Sequence, residues 1–511
     1  MQLTLTFLAV LTILELLLWL SPFWRWHKPL AAVQLVFLLA VTLVLAVGGL
    51  EIWVALLVFL NLYRMVNLLR LVKDRIQVDY LYHAARRTSL WLIGLQLVVF
   101  VFARLVAFYQ ISALSPFYWL AGAQVLGGLV LLASTSRHMR TTKPPKITAT
   151  YTDHELPDLT VAIPARNETL DLEACLQSLV ASRYPKLEIL VLDDCSQTKR
   201  TPEIIRAFAQ DGVRFIAGQT PPGHWLAKNY AYSRLAAEAN GELFLFCGVD
   251  VRFEPDSLTL LVKTLLQKKK SMISVLPRNS LPKRQNIFRL LVQPNRYAWE
   301  LALPRRLLKR PAVLSTCWLI TRQSLRQAGS FEAVSHKIMP ESYFARQAAA
   351  DSDGYSFLRS DGMGIRSLKS FDEQLATAIR TRYPQLHRRP EIVALVGLAE
   401  LGILLWPLII LIAALFGRVW PLAALSGLAY LIETVLYGTI MNLTYRKNFF
   451  GKAWLLPLAI LQDIAILNYS MWQYEFRQVI WKGRNVCVPV MRAETKLPQD
   501  GLAYMDKSLK L

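Results

Sequence analysis

Hydrophobic residues divide the chain into three blocks. From Leu3 to about Ser134, and again from Ile392 to about Trp472, long apolar runs are broken only by short polar loops. An apolar run of about 20 residues is long enough to cross a bilayer as a helix. The first block predicts five such helices and the second predicts three, at Leu3–Leu20, Leu30–Gly49, Ile52–Val72, Leu90–Tyr109, Phe117–Ala133, Ile392–Phe416, Leu422–Leu443 and Ala453–Trp472.

The block between them alternates strand-like and helix-like patterns. Short apolar runs suited to buried parallel strands are separated by helical periodicity. The strands are predicted at Leu159–Ile163, Leu187–Leu192, Val213–Ile216 and Glu242–Phe246, and the helices at Leu170–Ala181, Pro202–Ala209 and Leu226–Ala239. This order predicts an open, Rossmann-like α/β sheet inserted between two α-helical transmembrane regions. The resulting division is helices at 1–135, an α/β domain at 136–391, further helices at 392–475 and a basic tail at 476–511.

The composition supports a multi-pass membrane protein with a basic polar surface. Of the 511 residues, 54% are hydrophobic, the mean hydropathy is +0.32 and the formal charge is +22. The Lys and Arg residues cluster beside the apolar segments, which favours contact with anionic lipid headgroups over nucleic acid. Loop charges predict an integral plasma-membrane protein with the α/β domain in the cytosol. The five cysteines form no CxxC pair, so neither a disulfide framework nor a zinc site is expected.

The C-terminal helices raise two questions of topology and charge. Three full crossings would place the basic residues Lys482 and Arg484 outside the cell, so one segment is expected to be interfacial or re-entrant. Each of the three segments also contains one carboxylate: Glu400, Glu433 or Asp463. Carboxylates inside a membrane are costly and usually face a bundle interior or a cavity. These three either line a path for a lipid or have a packing role.

Polar clusters follow three of the four predicted strands. Pro164–Glu168 follows the first strand, Asp193–Ser196 the second and Gly248–Asp250 the fourth. Because parallel strands present their carboxyl ends at one edge of the sheet, all three clusters are expected to face one crevice. A single aspartate at such a position is as readily a cap or turn residue. Three clusters in register, together with Trp225–Asn229 at the start of a helix, favour a ligand site.

These segments resemble the membrane-bound members of glycosyltransferase family 2, particularly the carotenoid-, hopanoid- and ceramide-type lipid glycosyltransferases. Pro164–Glu168 reads P-A-R-N-E, Asp193–Ser196 reads D-D-C-S, and Gly223–Asn229 is similar to the family's G-W-x-G-K-N. The resemblance extends from about 159 to 484 and implies a GT-A fold and a nucleotide-sugar donor, UDP-linked. It implies that the donor is held by Pro164, Ala165, Asn167, Glu168, Asp193, Asp194 and Lys228, the last beside the phosphates.

The resemblance also implies a divalent cofactor, Mg²⁺ or Mn²⁺, with Asp250 as its ligand. Hard cations prefer oxygen ligands and substrate phosphates, and they neutralise the charge of a departing diphosphate. The family's usual D-A-D motif reads Gly248-Val249-Asp250 in this chain. The missing first aspartate leaves metal dependence open.

Two further motifs match the family in part. The family's catalytic base lies in an E-D pair before A-R, and Met339–Arg346 places Glu341 at the aspartate position. A glutamate can deprotonate an acceptor hydroxyl, so Glu341 is expected to be the general base, with a helix cap as the alternative. Ile379–Tyr383 is similar to the Q/R-x-x-R-W element. The residues expected at the acceptor or the pyrophosphate are Arg380, Arg382 and Tyr383, the alternative being a basic helix on the headgroups.

The resulting prediction is an inverting hexosyltransferase that acts on a membrane lipid at the cytosolic face. Lys283–Arg310 mixes apolar and basic residues and is expected to lie on the membrane surface near the acceptor. Trp481–Arg484 resembles the family's terminal W-K/R-G-R, which lies near the cytosolic face. The enzymatic alternatives are sugar transfer to polyprenyl phosphate and processive polysaccharide synthesis. A catalytically inactive, nucleotide-sugar-binding scaffold is the non-enzyme alternative, supported by the departures at Gly248 and Pro340.

Overall fold

The N-terminal block consists of five helices. The computed structural model describes residues 2–20, 27–47, 52–73, 79–108, 115–148, 151–223, 225–279, 301–302, 311–351, 354–445, 450–476, 478–482 and 484–487. The helices are α1 Gln2–Leu20, α2 His27–Val47, α3 Ile52–Lys73, α4 Asp79–Phe108 and α5 Ser115–Thr141. Helices α4 and α5 are longer than the apolar runs at Leu90–Tyr109 and Phe117–Ala133, because polar residues continue each helix beyond its apolar part.

A buried polar network connects three of these helices. Arg64 of α3 donates to Glu15 of α1 from Nε at 2.8 Å and from Nη2 at 2.6 Å, and neither side chain is exposed. Ser89 of α4 donates to the same carboxylate at 2.6 Å, and Gln96 of α4 accepts from Arg64 at 2.6 Å. A buried charge needs such partners because removal from water costs several kcal/mol per ion. The charges of Glu15 and Arg64 therefore belong to the packing of the helices.

The α/β domain is built on a seven-stranded mixed sheet of order β3-β2-β1-β4-β8-β6-β9, with a small second sheet of order β5-β10-β7. The strands are β1 Leu159–Ala165, β2 Leu187–Asp193, β3 Val213–Ala217, β4 Leu243–Cys247, β5 Val251–Phe253, β6 Met272–Leu276, β7 Arg278–Asn279, β8 Cys317–Thr321, β9 Tyr355–Arg359 and β10 Ile365–Ser367. The first four strands are parallel, and β8 lies antiparallel between β4 and β6. The predicted α/β class and the predicted four strands are confirmed.

Helices cover both faces of the large sheet. They are α6 Leu170–Val180, α7 Arg200–Ala207, α8 Ala227–Glu238, α9 Ser257–Gln267, α10 Arg322–Gln327, α11 Pro340–Ala350 and α12 Phe371–Gln385. Alternate residues of β4 belong to different cores: Phe246 packs on the side of α8 and α11, and Leu245 on the side of α6 and α9. Trp318 stacks between Phe246 and Phe344 with ring centroids 4.4 and 5.9 Å away. This aromatic stack fixes the position of α11 on the sheet.

In the described part of the C-terminal block there are four α-helices and a hairpin. They are α13 Pro390–Ala399, α14 Trp406–Phe416, α15 Trp420–Thr444, α16 Leu456–Glu475, β11 Ile480–Trp481 and β12 Arg484–Asn485; a π-helical turn at Glu400–Leu405 joins α13 to α14. Among the described residues, six helices are long and apolar enough to cross a membrane: Lys28–Val47, Trp53–Lys73, Ser115–Thr141, Pro390–Phe416, Trp420–Thr444 and Lys452–Glu475. Three belong to each block, which supports membrane association.

Both ends of α16 lie near the α/β domain. At its start, Leu456 shares a hydrophobic cluster with Tyr445, just beyond the end of α15, and Leu443 of α15 belongs to the core of the domain. At its end, Glu475 accepts a hydrogen bond from Tyr383 of α12. Helix α16 therefore packs along α12.

Candidate active site

The ends of β1 and β2 are joined by hydrogen bonds. Ala165 pairs with Asp193 at the end of the parallel ladder, and Pro164 occupies the preceding ladder position. Asn167 follows in a left-handed conformation, with φ of 49°, which asparagine tolerates better than most residues. Its N–H donates to the Ser196 Oγ at 2.9 Å, and its Oδ1 accepts from the N–H of Gln197 at 2.8 Å. The first two predicted polar clusters therefore form one rigid crevice wall.

The two aspartates after β2 have different partners. Asp193 accepts hydrogen bonds from the hydroxyl and the N–H of Ser196, which close the turn. Asp194 is buried, and its Oδ2 accepts from Arg484 Nη1 at 2.6 Å. Burial raises the pKa of the Asp194 carboxyl, and the Arg484 guanidinium opposes part of that rise. The second aspartate is thus held by a residue near the opposite end of the chain.

Glu168 is held in the same way by the C-terminal hairpin. Its N–H donates to the Thr201 Oγ1 at 2.8 Å, and its carboxylate forms an ion pair with Lys482. Burial raises the pKa of the Glu168 carboxyl, and the Lys482 ammonium opposes this effect. The hairpin β11–β12 therefore lies across the carboxyl ends of β1 and β2.

Asp250 is the residue predicted to bind a metal. Its Oδ2 accepts from Ser367 Oγ at 2.8 Å, and its carbonyl accepts from the N–H of Leu368 at 2.8 Å. No group of three or more His, Cys, Asp or Glu residues capable of holding a metal occurs within the described residues. A single carboxylate nevertheless fits a cation of the Mg²⁺ type, which takes one or two protein carboxylates and completes its shell with phosphates and water.

A cavity of about 350 Å³ lies beside the strand ends. Its walls come from the starts of α8 and α11, from α12 and from the hairpin. The charged residues that line it are Lys228, Glu341, Arg380 and Arg484. Three cations and one carboxylate favour an anionic ligand, and the volume is in the range of small-molecule sites.

Glu341 is a buried residue in the first turn of α11, with 1% of its surface exposed, and it lines the cavity. Met339 occupies the N-cap of this helix, so Glu341 is not the capping residue. Fully buried Tyr232 of α8 lies in the electrostatic field of Glu341 and Asp250. Burial raises the pKa of the Tyr232 hydroxyl, and both carboxylates raise it further. Glu341 and Asp250 are therefore both near enough to Tyr232 to oppose ionisation of its hydroxyl.

The structure separates the three residues predicted for the acceptor or the pyrophosphate. Arg380 lines the cavity, and its guanidinium lies 4.8 Å from the centre of the Trp481 ring. Arg382 is buried in an ion pair with Asp463 of α16, and the Tyr383 hydroxyl donates to Glu475. Side chains two positions apart on a helix do not share a face, so Arg380 and Arg382 point in different directions. As placed, Arg382 and Tyr383 bind α16 instead of lining the cavity.

Two residues inside the predicted motifs have positioning roles that motif reading did not assign. Arg166 is buried and donates from Nη1 to the carbonyls of Asp194 and Cys195 at 2.5 and 2.6 Å. Asn229 donates from Nδ2 to the carbonyls of Val334 and Lys337, both at 2.7 Å. Asn229 thereby fixes the loop that leads into α11 and Glu341. Both residues lie within the motifs, but their roles follow only from the distant backbone carbonyls to which they donate.

Gly248→Ala is expected to disturb the Asp250 carboxylate without unfolding the domain. A Cβ at position 248 would collide with the Asp250 Oδ1, the mobile end of a side chain held by Ser367. We expect the free energy of unfolding to change by less than about 1 kcal/mol. If Asp250 is a metal ligand, Mn²⁺-dependent turnover should fall by about tenfold or more, because its carboxylate is displaced. Turnover is measured against Mn²⁺ concentration, with thermal unfolding in parallel. Asp250→Asn, which removes the charge without crowding, is the matched control; unchanged turnover in both variants would contradict a metal role for Asp250.

Comparison with known protein families gives a match within the α/β domain. Residues 160–329 match the family model described as "Glycosyl transferase family 2". The probable glycosyltransferase YdaM of Bacillus subtilis is 32% identical over 121 residues, which are 23% of this chain and 28% of that protein. The chain thus matches just over a quarter of the length of this curated relative. The matched family segment ends before Glu341, Arg380 and the hairpin.

Solved structures similar to this chain include two enzymes with bound nucleotide sugars. The mannosyltransferase PcManGT from Pyrobaculum calidifontis, in complex with GDP-Man and Mn²⁺, is 20% identical, with 69% of this chain and 98% of that chain covered and a TM-score of 0.44. Glucosyl-3-phosphoglycerate synthase from Mycobacterium tuberculosis, in complex with Mn²⁺ and UDP-glucose, is 18% identical, with 47% and 84% covered and a TM-score of 0.32.

Proposed function

Because residues 160–329 match the model of glycosyltransferase family 2, we propose that the protein transfers a sugar from a UDP-linked donor to a membrane-lipid hydroxyl. The sugar carbon is inverted in this reaction. The observation that carries the proposal is a cavity lined by Lys228, Glu341 and Arg380, whose further lining residue Arg484 is bonded to Asp194 just after β2.

The donor is proposed to bind along the crevice between the ends of β1 and β2 and the start of α8. Asn167 and Asp193 shape the nucleoside part of this crevice through their bonds to Ser196. Lys228, in the first turn of α8, lines the cavity and supplies positive charge to the diphosphate, which the N-terminus of the helix also favours. Glu168 and Asp194 complete the crevice from beneath the hairpin.

Glu341 is proposed to act as the general base. It takes the proton of the acceptor hydroxyl while the hydroxyl oxygen attacks the anomeric carbon from the face opposite the leaving group. The new C–O bond forms as the bond between that carbon and the phosphate oxygen breaks, and the nucleoside diphosphate leaves with the bonding electrons. Lys228 and Arg380 stabilise the charge that develops on this leaving group, because both line the same cavity as Glu341.

Asp250 is proposed to hold the divalent metal, with Ser367 orienting its carboxylate through the 2.8 Å hydrogen bond. When bound, Mg²⁺ or Mn²⁺ supplies positive charge to the diphosphate. Gly248 has no side chain, which leaves space for the Asp250 carboxylate. The departure from D-A-D therefore removes the first aspartate of the motif but leaves room for the second, Asp250.

The acceptor is proposed to enter from the membrane surface. Thr381 and Gln385 of α12 line the cavity, and α12 packs along the apolar helix α16. Because both ends of α16 lie near the domain, we propose that α16 is interfacial and that the domain and the hairpin share the cytosolic side. The remaining five candidate spans anchor the protein in the plasma membrane. The segment Lys283–Arg310, predicted to lie on the membrane, falls almost entirely outside the described residues.

The test is release of free UDP by the purified, lipid-embedded protein. UDP-glucose, UDP-galactose and UDP-N-acetylglucosamine are each supplied with total membrane lipid, with and without Mn²⁺. We expect turnover that requires added lipid, and a glycosylated lipid identified by mass spectrometry. A sugar found on polyprenyl phosphate, or on a growing polysaccharide, would replace the proposed acceptor. Binding of UDP without turnover across all donors and lipids would instead favour the inactive scaffold.

A further inference from the structure

The C-terminal hairpin, residues 478–487, is attached to the donor crevice by two ion pairs. Arg484 binds the Asp194 carboxylate at 2.6 Å, and Lys482 binds the Glu168 carboxylate. Lys482 lies in the turn after β11 and Arg484 lies in β12, and the two pairs reach residues that follow two neighbouring strands of the sheet, β1 and β2. The hairpin is therefore held at two points across the crevice.

Two further contacts position the hairpin. The carbonyl of Lys482 accepts from Arg166 Nε at 2.9 Å, and the Trp481 ring lies under the Arg380 guanidinium. Beyond β12, Cys487 is buried in the cluster that contains Tyr474 of α16. These contacts connect the hairpin to the crevice on one side and to α16 on the other. Its position is set by tertiary packing on both sides.

The two cations of the hairpin differ in what they face. Arg484 lines the cavity that contains Lys228 and Glu341, whereas Lys482 does not line it. The Arg484 side chain is 22% exposed, so it is not fully enclosed by the protein. A guanidinium has five N–H donors in a planar fork that matches phosphate oxygens, and its bonds to Asp194 use only some of them.

We propose that Arg484 binds the diphosphate of the nucleotide-sugar donor, so that the C-terminal hairpin completes the active site. The proposal rests on the proposed glycosyltransferase function. Lys228 approaches the diphosphate from the start of α8, and Arg484 approaches it from the hairpin. Asp194 is the positioning residue that holds the Arg484 guanidinium toward the cavity. The ion pair of Lys482 with Glu168 anchors the hairpin without contacting the diphosphate.

The test compares UDP and UMP binding to the full-length, lipid-embedded protein by isothermal titration calorimetry. In wild type, UDP is expected to bind more tightly than UMP because the second phosphate reaches the cationic cavity. Arg484→Gln is expected to weaken UDP binding by about 10- to 100-fold, the effect of losing a charge-assisted hydrogen bond. UMP binding should change much less, so the preference for UDP should largely disappear. Arg484→Lys should restore part of it, since lysine keeps the charge but not the fork.

Lys482→Gln and Asp194→Asn are the matched controls. Lys482→Gln breaks the other ion pair of the hairpin but removes no cation from the cavity, so the preference for UDP over UMP should persist. Asp194→Asn should weaken that preference less than Arg484→Gln, because the guanidinium remains. Two results would contradict the inference: an unchanged preference for UDP in Arg484→Gln, or an equal loss of that preference in Lys482→Gln. Either would mean that Arg484 only anchors the hairpin, and the proposed glycosyltransferase function would be unaffected. If wild type did not bind UDP, the proposed function would fail as well.

Discussion

Glu341→Gln is expected to lower lipid-dependent sugar transfer by about 10²- to 10⁴-fold while UDP still binds, because a glutamine of the same shape cannot accept the proton of the acceptor hydroxyl. Glu341 lines the cavity with 1% of its surface exposed, and the Phe344 ring on the same helix is stacked in the aromatic core. The substitution should therefore leave α11 in place. The measurements are steady-state UDP release with the lipid acceptor and calorimetric binding of UDP.

Glu332→Gln is the matched control for this substitution. Glu332 is exposed, lies nine residues before Glu341 and accepts a hydrogen bond from Ser233 at 3.0 Å, outside the cavity. Its conversion to glutamine should leave turnover within about twofold of wild type. A loss of less than about tenfold in Glu341→Gln would contradict its role as base. That result would point to an acceptor that is already ionised, such as a carboxylate or a phosphate.

Arg64→Leu is expected to destabilise the N-terminal helices by about 3–5 kcal/mol, because the Glu15 carboxylate would remain buried without its counter-charge. Both side chains are fully buried, and the guanidinium also holds Gln96 of α4 at 2.6 Å. Loss of the guanidinium therefore removes the ion pair between α3 and α1 and a hydrogen bond between α3 and α4. Thermal unfolding of the protein in lipid nanodiscs measures the effect.

Arg183→Leu provides the control for losing an arginine from an ion pair. Arg183 and Asp256 are 3.4 Å apart with side-chain exposures of 72% and 60%, and such a surface pair contributes about 1 kcal/mol or less. The double variant Glu15→Gln with Arg64→Leu should recover part of the stability, since no uncompensated charge is left. Equal unfolding temperatures for Arg64→Leu and Arg183→Leu would contradict a structural role for the buried pair.

Local hydrophobic patterns predicted the helices and strands well, because the period of apolar residues depends on which face of a single segment is buried. The predicted run at Leu187–Leu192 is β2 within one residue, and the helix predicted at Leu170–Ala181 is α6. The antiparallel strand β8, Cys317–Thr321, was not predicted, because a short apolar run does not reveal its partners or its direction. The π-helical turn at Glu400–Leu405 was also not predicted; the carbonyl of Gly402 within it accepts a hydrogen bond from Gln124 of α5, a contact that the local sequence does not reveal.

Two apolar helical blocks around an α/β domain, and the polar clusters after its strands, could be predicted without a structure. Both are properties of consecutive residues. Which charges reach the cavity depends instead on tertiary packing. It turned Arg382 toward Asp463 and brought Arg484 to Asp194, a residue 290 positions away. Contacts between remote segments depend on how helices and strands pack, and residue spacing along the chain does not specify that packing.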